Sequence, residues 1–479
     1  FFILLNINIL FLNRGRLKIS DGLCRCNESG YGKTADYLPP LEQTAHQSHN
    51  FFRSGIGHDR HARRTHAFAE EGCRHEGSVP PICYVFRLFR RPVSEFAERA
   101  EQMKILIAPD SYKESLSALQ VANHIEKGFR EVFPDAECVK VPVADGGEGT
   151  VDTMVEATGG RKIECEVIGA LGLPQRAFWG ISGDGKIAFI EIASASGLEQ
   201  VPPEQRNPLI TTTYGVGELI LAALDEGVRH FIIGLGGSAT NDGGAGMLQA
   251  LGVGLKDADG RELAYGGAAL AQLAEIDVGR LDGRLKECRF DVACDVSNPL
   301  VGGQGASRIF GPQKGATPEM VETLEQALSR YAEVIEQKLD VEVKDLPGAG
   351  AAGGLGAAFS GVLGGRLRSG IGIITEFLRL EESMKGAALV ITGEGRIDSQ
   401  SINGKVPVGV AALAKKHNIP VIGIAGSLGK DVEVVNGYGI DAVFSILNKC
   451  CTFPEAAAET AENLELTARN IAKLLKMNL

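Results

Sequence analysis

Residues 230–251 read HFIIGLGGSATNDGGAGMLQAL, and they indicate the fold class more clearly than any other part of the chain. The apolar run His230–Leu235 predicts a buried strand, and the apolar spacing in Gly243–Leu251 predicts a helix. The loop between them holds six glycines within residues 234–246. A strand that enters a helix through such a loop is typical of an α/β protein with a mostly parallel sheet, in which ligands bind beyond the carboxyl ends of the strands.

The same loop predicts a site for phosphate groups. Its glycines leave backbone N–H groups free to surround a polyphosphate, and its hydroxyl and carboxyl side chains can bind a nucleotide and Mg²⁺. We predict Asp242 as a ligand of the metal ion. The predicted nucleotide-binding residues are Gly236, Gly237, Ser238, Thr240, Asn241, Gly243 and Gly244.

Strand and helix signals alternate from Met103 to the end of the chain. The predicted strands are 104–109, 138–143, 186–192, 230–235, 289–294, 388–392, 421–425 and 442–446. The predicted helices are 117–133, 150–157, 214–226, 243–251, 318–338, 371–378, 408–416 and 454–476. Because a long central stretch has sheet signals of its own, we expect two α/β domains. The first comprises residues 103–170 and 386–479, and the second, 171–385, is inserted into it.

The loop APDSYKES, residues 108–115, leads from the first predicted strand into a helix. Asp110, Ser111 and Ser115 lie near the helix start, where free N–H groups and the helix dipole favour an anion. Lys113 can bind a phosphate or carboxylate as a point charge. Simple N-capping beside a solvated lysine explains the same residues.

The loop ADGGEGT, residues 144–150, also leads from a strand into a helix. Gly146 and Gly147 permit close approach of a ligand, and Asp145 and Glu148 can bind Mg²⁺ or accept hydrogen bonds from a hydroxyl substrate. The structural alternative is a helix start with acidic residues near its positive end.

Two later regions repeat the pattern of polar residues after a strand. CDVSNP at 294–299 offers Asp295 as a metal ligand or base, although an Asx-turn also explains this aspartate, and FGPQKG offers Lys314 as a charge stabiliser. TGEGRID, with the NGK that follows it, lies just past the strand at 388–392, where a substrate site and a solvated loop are equally good explanations. Its charged residues are Glu394, Arg396, Asp398 and Lys405.

Incomplete motifs and the net charge exclude other classes of protein. Residues 403–405 lack the other glycine and the hydroxyl residue of a P-loop, and GAGAAG at 348–353 follows no apolar strand, as a dinucleotide fingerprint would. Three of the nine histidines follow Met103, which disfavours a Ser-His-Asp hydrolase. The net charge of −11 argues against nucleic acid as a partner.

Residues 1–102 differ from the rest of the chain. They contain none of the six methionines, but six of the nine histidines and four of the ten cysteines. Their spacing completes no zinc-binding pattern, and the apolar start at 1–12 is too short to span a membrane and lacks the flanks of a signal peptide. We expect this segment to be a disordered or spurious extension, with the functional chain beginning at Met103.

The six cysteines after Met103 have no metal-binding or redox spacing. We interpret them as reduced residues of a cytoplasmic protein, because disulfides are rare in that compartment. The sequence indicates no membrane partner, and it leaves a homo-oligomer open.

Taken together, these loops resemble the bacterial glycerate kinase family that lacks a P-loop. The resemblance covers about 377 residues from Met103 onward, and residues 1–102 have no counterpart in it. The matching segments are APDSYKES (108–115), ADGGEGT (144–150), GLGGSATNDGGAGM (234–247), CDVSNP (294–299), FGPQKGA (310–316), PGAGAAGGLG (347–356), TGEGRID (392–398) and NGKVP (403–407). Each segment is weak alone, but their joint order and spacing are specific.

The resemblance implies ATP-dependent phosphorylation of D-glycerate, with 2-phosphoglycerate as the favoured product, in a cleft between two α/β domains. Asp145 would orient or deprotonate the attacking hydroxyl, and the loop at 236–244 would hold the ATP phosphates. Mg²⁺ would be bound by Asp242 or Asp295. The lysines that would neutralise the transferring group or the glycerate carboxylate are Lys113 and Lys314. The predicted substrate-binding residues are Asp110, Ser111, Ser115, Gly146, Gly147, Glu394, Arg396 and Asp398.

Two other functions fit the same loops, namely a kinase of another small hydroxy acid and a nucleotide-binding sensor without catalysis. A sensor does not need an acceptor-activating aspartate as well as two lysines that face phosphate. The aspartates whose replacement would have favoured a sensor are all present, and they are Asp110, Asp145, Asp242 and Asp295.

Overall fold

Two β-sheets organise residues 103–477, which are the residues that the computed structural model describes. The prediction for residues 1–102 lies outside this range. In chain order the strands are β1 (Lys104–Pro109), β2 (Glu137–Lys140), β3 (Arg161–Ile168), β4 (Pro174–Ile181), β5 (Ile187–Glu191), β6 (His230–Gly234), β7 (Gly254–Lys256), β8 (Glu275–Asp277), β9 (Arg289–Ala293), β10 (Arg366–Arg368), β11 (Leu389–Ile397), β12 (Val421–Leu428) and β13 (Ala442–Ser445).

The first sheet is parallel, with the strand order β13-β12-β11-β1-β2. Strand β1 lies between β11 and β2, so the sheet combines strands from both ends of the described chain. Its sequence KILIAP is buried from the second residue onward. A nearly continuous apolar strand of this kind is typical of a parallel sheet that is covered on both faces.

The second sheet is mixed, with the strand order β10-β9-β6-β5-β4-β3. Neighbouring strands from β10 to β5 are parallel, whereas β4 and β3 are antiparallel. Strands β7 and β8 form a separate antiparallel pair. The expected α/β class with mainly parallel strands is therefore confirmed.

Helices cover both sheets, and local capping sets where they begin. The helix after β1 begins at Ser117, whose hydroxyl accepts a hydrogen bond from the Gln120 backbone while the Gln120 side chain accepts one from the Ser117 backbone. The helices are α1 (Ala118–Arg130), α2 (Thr150–Thr158), α3 (Ala193–Ser196), α4 (Tyr214–Asp225), α5 (Ala245–Ala250), α6 (Ala306–Phe310), α7 (Pro318–Leu339), α8 (Ala351–Gly361), α9 (Gly370–Phe377), α10 (Leu380–Met384), α11 (Val406–Lys416), α12 (Phe453–Ala458) and α13 (Thr460–Met477). Short 3₁₀ helices occur at Leu198–Gln200, Pro203–Gln205, Gly267–Gln272, Gly283–Glu287, Pro312–Lys314 and Val432–Tyr438.

One apolar cluster joins the two sheets. It includes Leu106 of β1, Phe189 of β5 and Ile232 of β6, together with buried residues of α2, α9 and α11. Burial of each large apolar side chain contributes about 1.5–3 kcal/mol. Because the cluster is continuous from one sheet to the other, it fixes the relative position of their strand ends.

The structure has several short elements that the sequence analysis does not predict, and two of its longer strand segments also differ from the prediction. The hairpin β3–β4 is not predicted above, although Ile163, Cys165 and Val167 alternate with charged residues as a half-buried strand requires. The predicted boundary after residue 170 falls inside this hairpin, whose two strands both belong to the second sheet. Strand β11 continues past residue 392 to Ile397, because β12 pairs with it along that length.

In residues 103–477 no helix is both long and apolar enough to cross a membrane. The longest helix of this range, α7, buries Leu324, Leu328 and Tyr331 on one side and is charged on the other. The six cysteines of the same range are free thiols.

A left-handed turn at the start of α8 supports the glycine-rich loop that follows β6. Ala352, Gly353 and Gly354 have φ angles of 52°, 69° and 95°. The Gly353 carbonyl accepts a hydrogen bond of 2.9 Å from the Gly243 N–H. A Cβ on Gly353 would overlap the Thr240 carbonyl oxygen. The GAGAAG sequence at 348–353 therefore acts as a brace for that loop.

Replacing Ala352 by glycine is expected to stabilise the protein by about 0.5–1 kcal/mol, because a φ of 52° is costly for alanine but not for glycine. Gly353→Ala is the matched opposite, and the overlap of its methyl group with Thr240 is expected to destabilise by roughly 2 kcal/mol or more. Urea unfolding of both variants measures the two effects. Changes of the same sign would contradict the left-handed turn.

Candidate active site

The loop at residues 145–147 lies where strand ends of the two sheets meet. Gly370, just after β10, is so close to this loop that a Cβ would overlap the carbonyl oxygen of Asp145. A Cβ on Gly234, the last residue of β6, would overlap the carbonyl oxygen of Gly146. Because Gly370 and Gly234 have no side chain, the backbone at the strand ends of the second sheet comes into direct contact with the loop at 145–147.

An ion pair connects this loop to the one that follows β11. The Lys405 Nζ lies 2.7 Å from Asp145 Oδ2, and the Gly147 N–H donates to Asp145 Oδ1 at 2.9 Å. Burial alone would raise the pKa of Asp145, but Lys405 and the Gly147 hydrogen bond hold that pKa below its usual value. Asp145 is therefore ionised at neutral pH and can accept a hydrogen bond from a hydroxyl group.

Asp110 and Glu394 add two carboxyl groups beside this ion pair. The Ser111 N–H donates to Asp110 at 2.7 Å, and the Ser401 hydroxyl donates to Glu394 at 2.6 Å. Burial, reinforced by the charge of Asp145, raises the pKa of each to about 7. At neutral pH each group is thus partly protonated and can donate as well as accept a hydrogen bond.

Asp295 is the fourth carboxyl group at this place. Together with Asp110, Asp145 and Glu394 it forms what we call the acidic side of the site. Its Oδ1 accepts a hydrogen bond of 3.0 Å from the Gly370 N–H, and a Cβ on Gly404 would lie 3.0 Å from the same oxygen. Although the residue as a whole is exposed, its carboxyl group is partly shielded from solvent, and this desolvation, together with the nearby charge of Asp145, raises the pKa of Asp295. The charge of Lys405 opposes this rise, as it does for the other three carboxyl groups.

The loop after β6 presents unpaired backbone N–H groups. Among the residues that the structure describes, none accepts a hydrogen bond from the N–H of Gly236, Gly237 or Ser238. Gly236 and Gly237 are exposed, and a Cβ on Gly236 would lie 3.4 Å from the Cα of Gly147. Successive free N–H groups can bind an anion, and these three lie against the loop at 145–147.

Asp242 lies beneath the same loop and has no exposed surface. Its carboxylate accepts hydrogen bonds of 2.9 Å from both the N–H and the hydroxyl of Thr213, and of 3.1 and 3.2 Å from the N–H groups of Gly244 and Gly246. These four bonds tie the loop to the start of α4. The magnesium role of Asp242 stays a prediction, and these contacts do not favour it.

The buried side chain of Lys314 forms hydrogen bonds with the loop that follows β6. Its Nζ donates to the Ser238 hydroxyl at 2.8 Å and to the Thr240 carbonyl at 2.6 Å, and 1% of the residue is exposed. Burial lowers the pKa of Lys314 to about 7. Thr240 and Asn241 are also fully buried. The predicted nucleotide-binding residues therefore divide into the exposed Gly236 and Gly237 and a buried remainder that shapes the loop.

Three predicted substrate-binding residues are engaged elsewhere. The Ser115 hydroxyl donates to the Ala457 carbonyl at 3.1 Å. Arg396 is in β11 rather than in the loop after it, and its exposed side chain forms a 3.0 Å ion pair with Asp398. These residues do not contact the carboxyl groups described above through any hydrogen bond within residues 103–477.

Lys113 lies at the edge of the acidic side. Its Nζ is 3.6 Å from Glu148, and both side chains are 63% exposed. The charge of Lys113 also contributes to the low pKa of Asp145. Lys113 is therefore free to exchange Glu148 for an anionic group of a ligand.

Glu191 is a buried acidic residue that the sequence analysis misses. It ends β5, and its Oε1 accepts a hydrogen bond of 2.7 Å from the Val151 N–H. Burial raises the pKa of Glu191 to about 7. The bond ties the first turn of α2, directly after the 145–147 loop, to the second sheet. A carboxylate at the end of the apolar strand predicted at 186–192 is the signal that could have revealed it.

The acidic side fits a magnesium ion that is bound jointly with phosphates. In residues 103–477, no group of three His, Cys, Asp or Glu side chains could hold a metal ion by itself. Mg²⁺ in phosphoryl-transfer sites commonly uses one or two carboxylates plus substrate phosphates. Asp295 is exposed and lies near Asp145, so these two carboxylates match that ligand set.

Comparison with known proteins gives relatives over nearly all the described residues. The glycerate kinase family matches residues 105–476. The glycerate 2-kinase of Escherichia coli (strain K12) is 62% identical over 377 residues, covering 79% of this chain and 99% of the relative. The glycerate kinase of Bacillus subtilis (strain 168) is 56% identical over 375 residues, covering 78% of this chain and 98% of the relative. The crystal structure of a candidate glycerate kinase 2 from Salmonella typhimurium LT2 is 61% identical with a TM-score of 0.74, covering 78% of this chain and 99% of that chain.

Glu394→Gln is expected to stabilise the protein by roughly 1–3 kcal/mol at pH 8 and to leave its stability near pH 5 almost unchanged. The pKa of Glu394 is raised from 4.5 to about 7, so the folded state binds more protons than the unfolded state in that interval. The contribution of Glu394 to the stability of the wild type therefore falls as the pH rises from about 4.5 to 7. Glutamine is neutral throughout and keeps an acceptor for Ser401.

Urea unfolding of the wild type and of Glu394→Gln at pH 5 and pH 8 measures this difference. Equal free energies of unfolding for the wild type and Glu394→Gln at pH 8 would contradict this prediction, because they would show that burying the ionised Glu394 does not destabilise the folded protein.

Proposed function

Because the chain belongs to the glycerate kinase family, we propose that it transfers the γ-phosphoryl group of ATP to D-glycerate and forms 2-phosphoglycerate. The similarity to a glycerate 2-kinase supports the 2-position. The observation that carries the mechanism is the close approach of Gly236 to Gly147. It sets three unpaired N–H groups, suited to phosphate, beside the loop that carries the ionised Asp145, suited to a hydroxyl group.

The phosphate side of the reaction depends on backbone groups. The N–H groups of Gly236, Gly237 and Ser238 would bind phosphate oxygens of ATP, since they have no partner among the described residues. Asp295, with Asp145 nearby, would hold Mg²⁺ against the same phosphates, and the ion would supply neutralisation of their charge. Positioning and charge neutralisation are the main requirements of phosphoryl transfer.

The acceptor side depends on the carboxyl groups. Asp145, kept ionised by Lys405, would accept a hydrogen bond from the attacking hydroxyl and orient it toward the phosphate. Asp110 and Glu394 have pKa values of about 7, so they are matched to bind the second hydroxyl and to receive the proton of the first. Lys113 would exchange Glu148 for the glycerate carboxylate.

We propose that the two sheets define two domains with the site in the cleft between them. Sheet membership supports a first domain of residues 103–158 and 386–477 and an inserted second domain of residues 161–385. Closure of such a cleft would exclude water from the phosphoryl group. Free thiols at all six cysteines of residues 103–477 support a reducing, cytoplasmic location.

A kinase of another small hydroxy acid would use the same carboxyl groups and the same N–H groups. The 62% identity to a glycerate 2-kinase favours glycerate over that alternative. Comparing turnover of D-glycerate with that of glycolate and lactate separates the two, because only glycerate offers two hydroxyl groups to Asp145, Asp110 and Glu394.

Asp145→Asn is expected to lower kcat for D-glycerate by roughly 10²–10⁴-fold, because asparagine cannot hold the hydroxyl as a charged acceptor. The affinity for MgATP is expected to fall by a smaller factor, about tenfold or less, because the phosphates bind to another loop and Asp145 is one of two carboxylates near the metal ion. The measurement is release of ADP by the whole chain, with the phosphoglycerate isomer assigned by ³¹P NMR.

Lys127→Met is the matched control. It breaks an ion pair of similar length, 2.8 Å to Glu465, between α1 and α13 and away from the site. It is expected to keep full turnover. Equal turnover of Asp145→Asn and the control would refute the role of Asp145, and a 3-phosphoglycerate product would refute the 2-position.

A further inference from the structure

Lys314 is buried without an ion pair. It is 1% exposed, and among residues 103–477 no carboxylate oxygen lies within 4.0 Å of its Nζ. Its two partners, the Ser238 hydroxyl and the Thr240 carbonyl, are neutral. A buried ammonium group without a counter-charge is unfavourable, so this site favours the neutral amine until an anion arrives.

The hydrogen bond to Ser238 has a direction that depends on this charge. An ammonium group can only donate, so Ser238 must then accept, and its own hydroxyl proton is directed to another acceptor. A neutral amine has a lone pair and can accept the Ser238 proton instead. Ser238 is 6% exposed and carries one of the three unpaired N–H groups, beside the exposed Gly236 and Gly237.

We propose that Lys314 takes up a proton when a nucleotide phosphate binds to the N–H groups of residues 236–238, and that the Ser238 hydroxyl then accepts from Lys314 and donates its own proton to the phosphate. Ser238 is thereby a catalytic residue that touches the phosphate, and Lys314 is a positioning residue that acts through it. The negative charge of the phosphate stabilises the ammonium group beneath it. This inference rests on the proposed function, which supplies the nucleotide.

The ionisable groups around Lys314 are consistent with protonation of its amine only when a phosphate is bound nearby. Burial lowers the pKa of Lys314 to about 7, and Asp242 on the same loop is the charged group that opposes this decrease. The Asp242 carboxylate already accepts four hydrogen bonds. The other ionisable groups around this region are Arg206, which lies against Gly315, and Tyr331, which lies against Gly243. Neither supplies a negative charge at neutral pH.

Calorimetric titration of the whole chain with MgATP, without glycerate, tests the proposal. At pH 8 a group with a pKa of about 7 is about one-tenth protonated, so uptake of about 0.9 protons per nucleotide is expected. Two buffers with different ionisation enthalpies give that number directly. Binding of MgATP without proton uptake would overturn this inference alone, whereas absence of MgATP binding would overturn the proposed function as well.

Substitutions identify the residue that takes up the proton when MgATP binds. Lys314→Met is expected to abolish the uptake, and Ser238→Ala is expected to reduce it by at least half, since the link to the phosphate is lost. Asp110 and Glu394 also titrate near pH 7, so the double variant Asp110→Asn/Glu394→Gln is the control and is expected to retain the uptake. Uptake that persists in Lys314→Met, or disappears in the control, would overturn the proposal.

The wild type provides a second readout that does not depend on the folding of a variant. Proton uptake requires that the association constant for MgATP fall by about tenfold between pH 8 and pH 9. An association constant that does not change over this range would overturn the proposal.

Discussion

The site depends on the close approach of backbone to backbone around residues 145–147. Gly370 and Gly234 come from strand ends of the second sheet, and neither position has room for a Cβ. Asp145 and Gly146, which they contact, belong to the loop that follows β2 of the first sheet. Any side chain at these contacts would separate the strand ends, and with them the carboxyl groups from the N–H groups. The apolar cluster around Leu106 and Phe189 holds the two sheets at this distance.

This contact brings together two regions of opposite electrostatic character. On one side, four carboxyl groups surround Lys405, and burial, reinforced by the charge of Asp145, raises the pKa of Asp110 and Glu394 to about 7 while Asp145 stays ionised. On the other side, unpaired N–H groups lie above the buried Lys314. A hydroxyl acceptor suits the first region and a phosphate suits the second. Phosphoryl transfer requires the acceptor hydroxyl and the phosphate to come into contact. The close approach of Gly236 to Gly147 places the two regions side by side.

The sequence predicts the loops but not the directions of their side chains. The sequence pattern places Asp145, Asp295 and Glu394 close to strand ends, and the structure brings these three together, although Glu394 lies within β11 rather than after it. Nothing local distinguishes Asp242, which is buried under four donors, from an aspartate that faces a ligand. Burial of Lys314 and Glu191 likewise depends on elements distant in sequence. The hairpin at 161–181 is different, because the alternation of apolar and charged residues in its first strand is a local signal that predicts a half-buried strand.

The most direct test of this account is a crystal structure of the whole chain with MgADP and D-glycerate bound. We predict phosphate oxygens within hydrogen-bond distance of the N–H groups of Gly236 and Gly237, and a glycerate hydroxyl within hydrogen-bond distance of Asp145. Phosphates on Lys113 with the loop at 236–238 empty, or a glycerate whose hydroxyl groups lie away from Asp145, would contradict it.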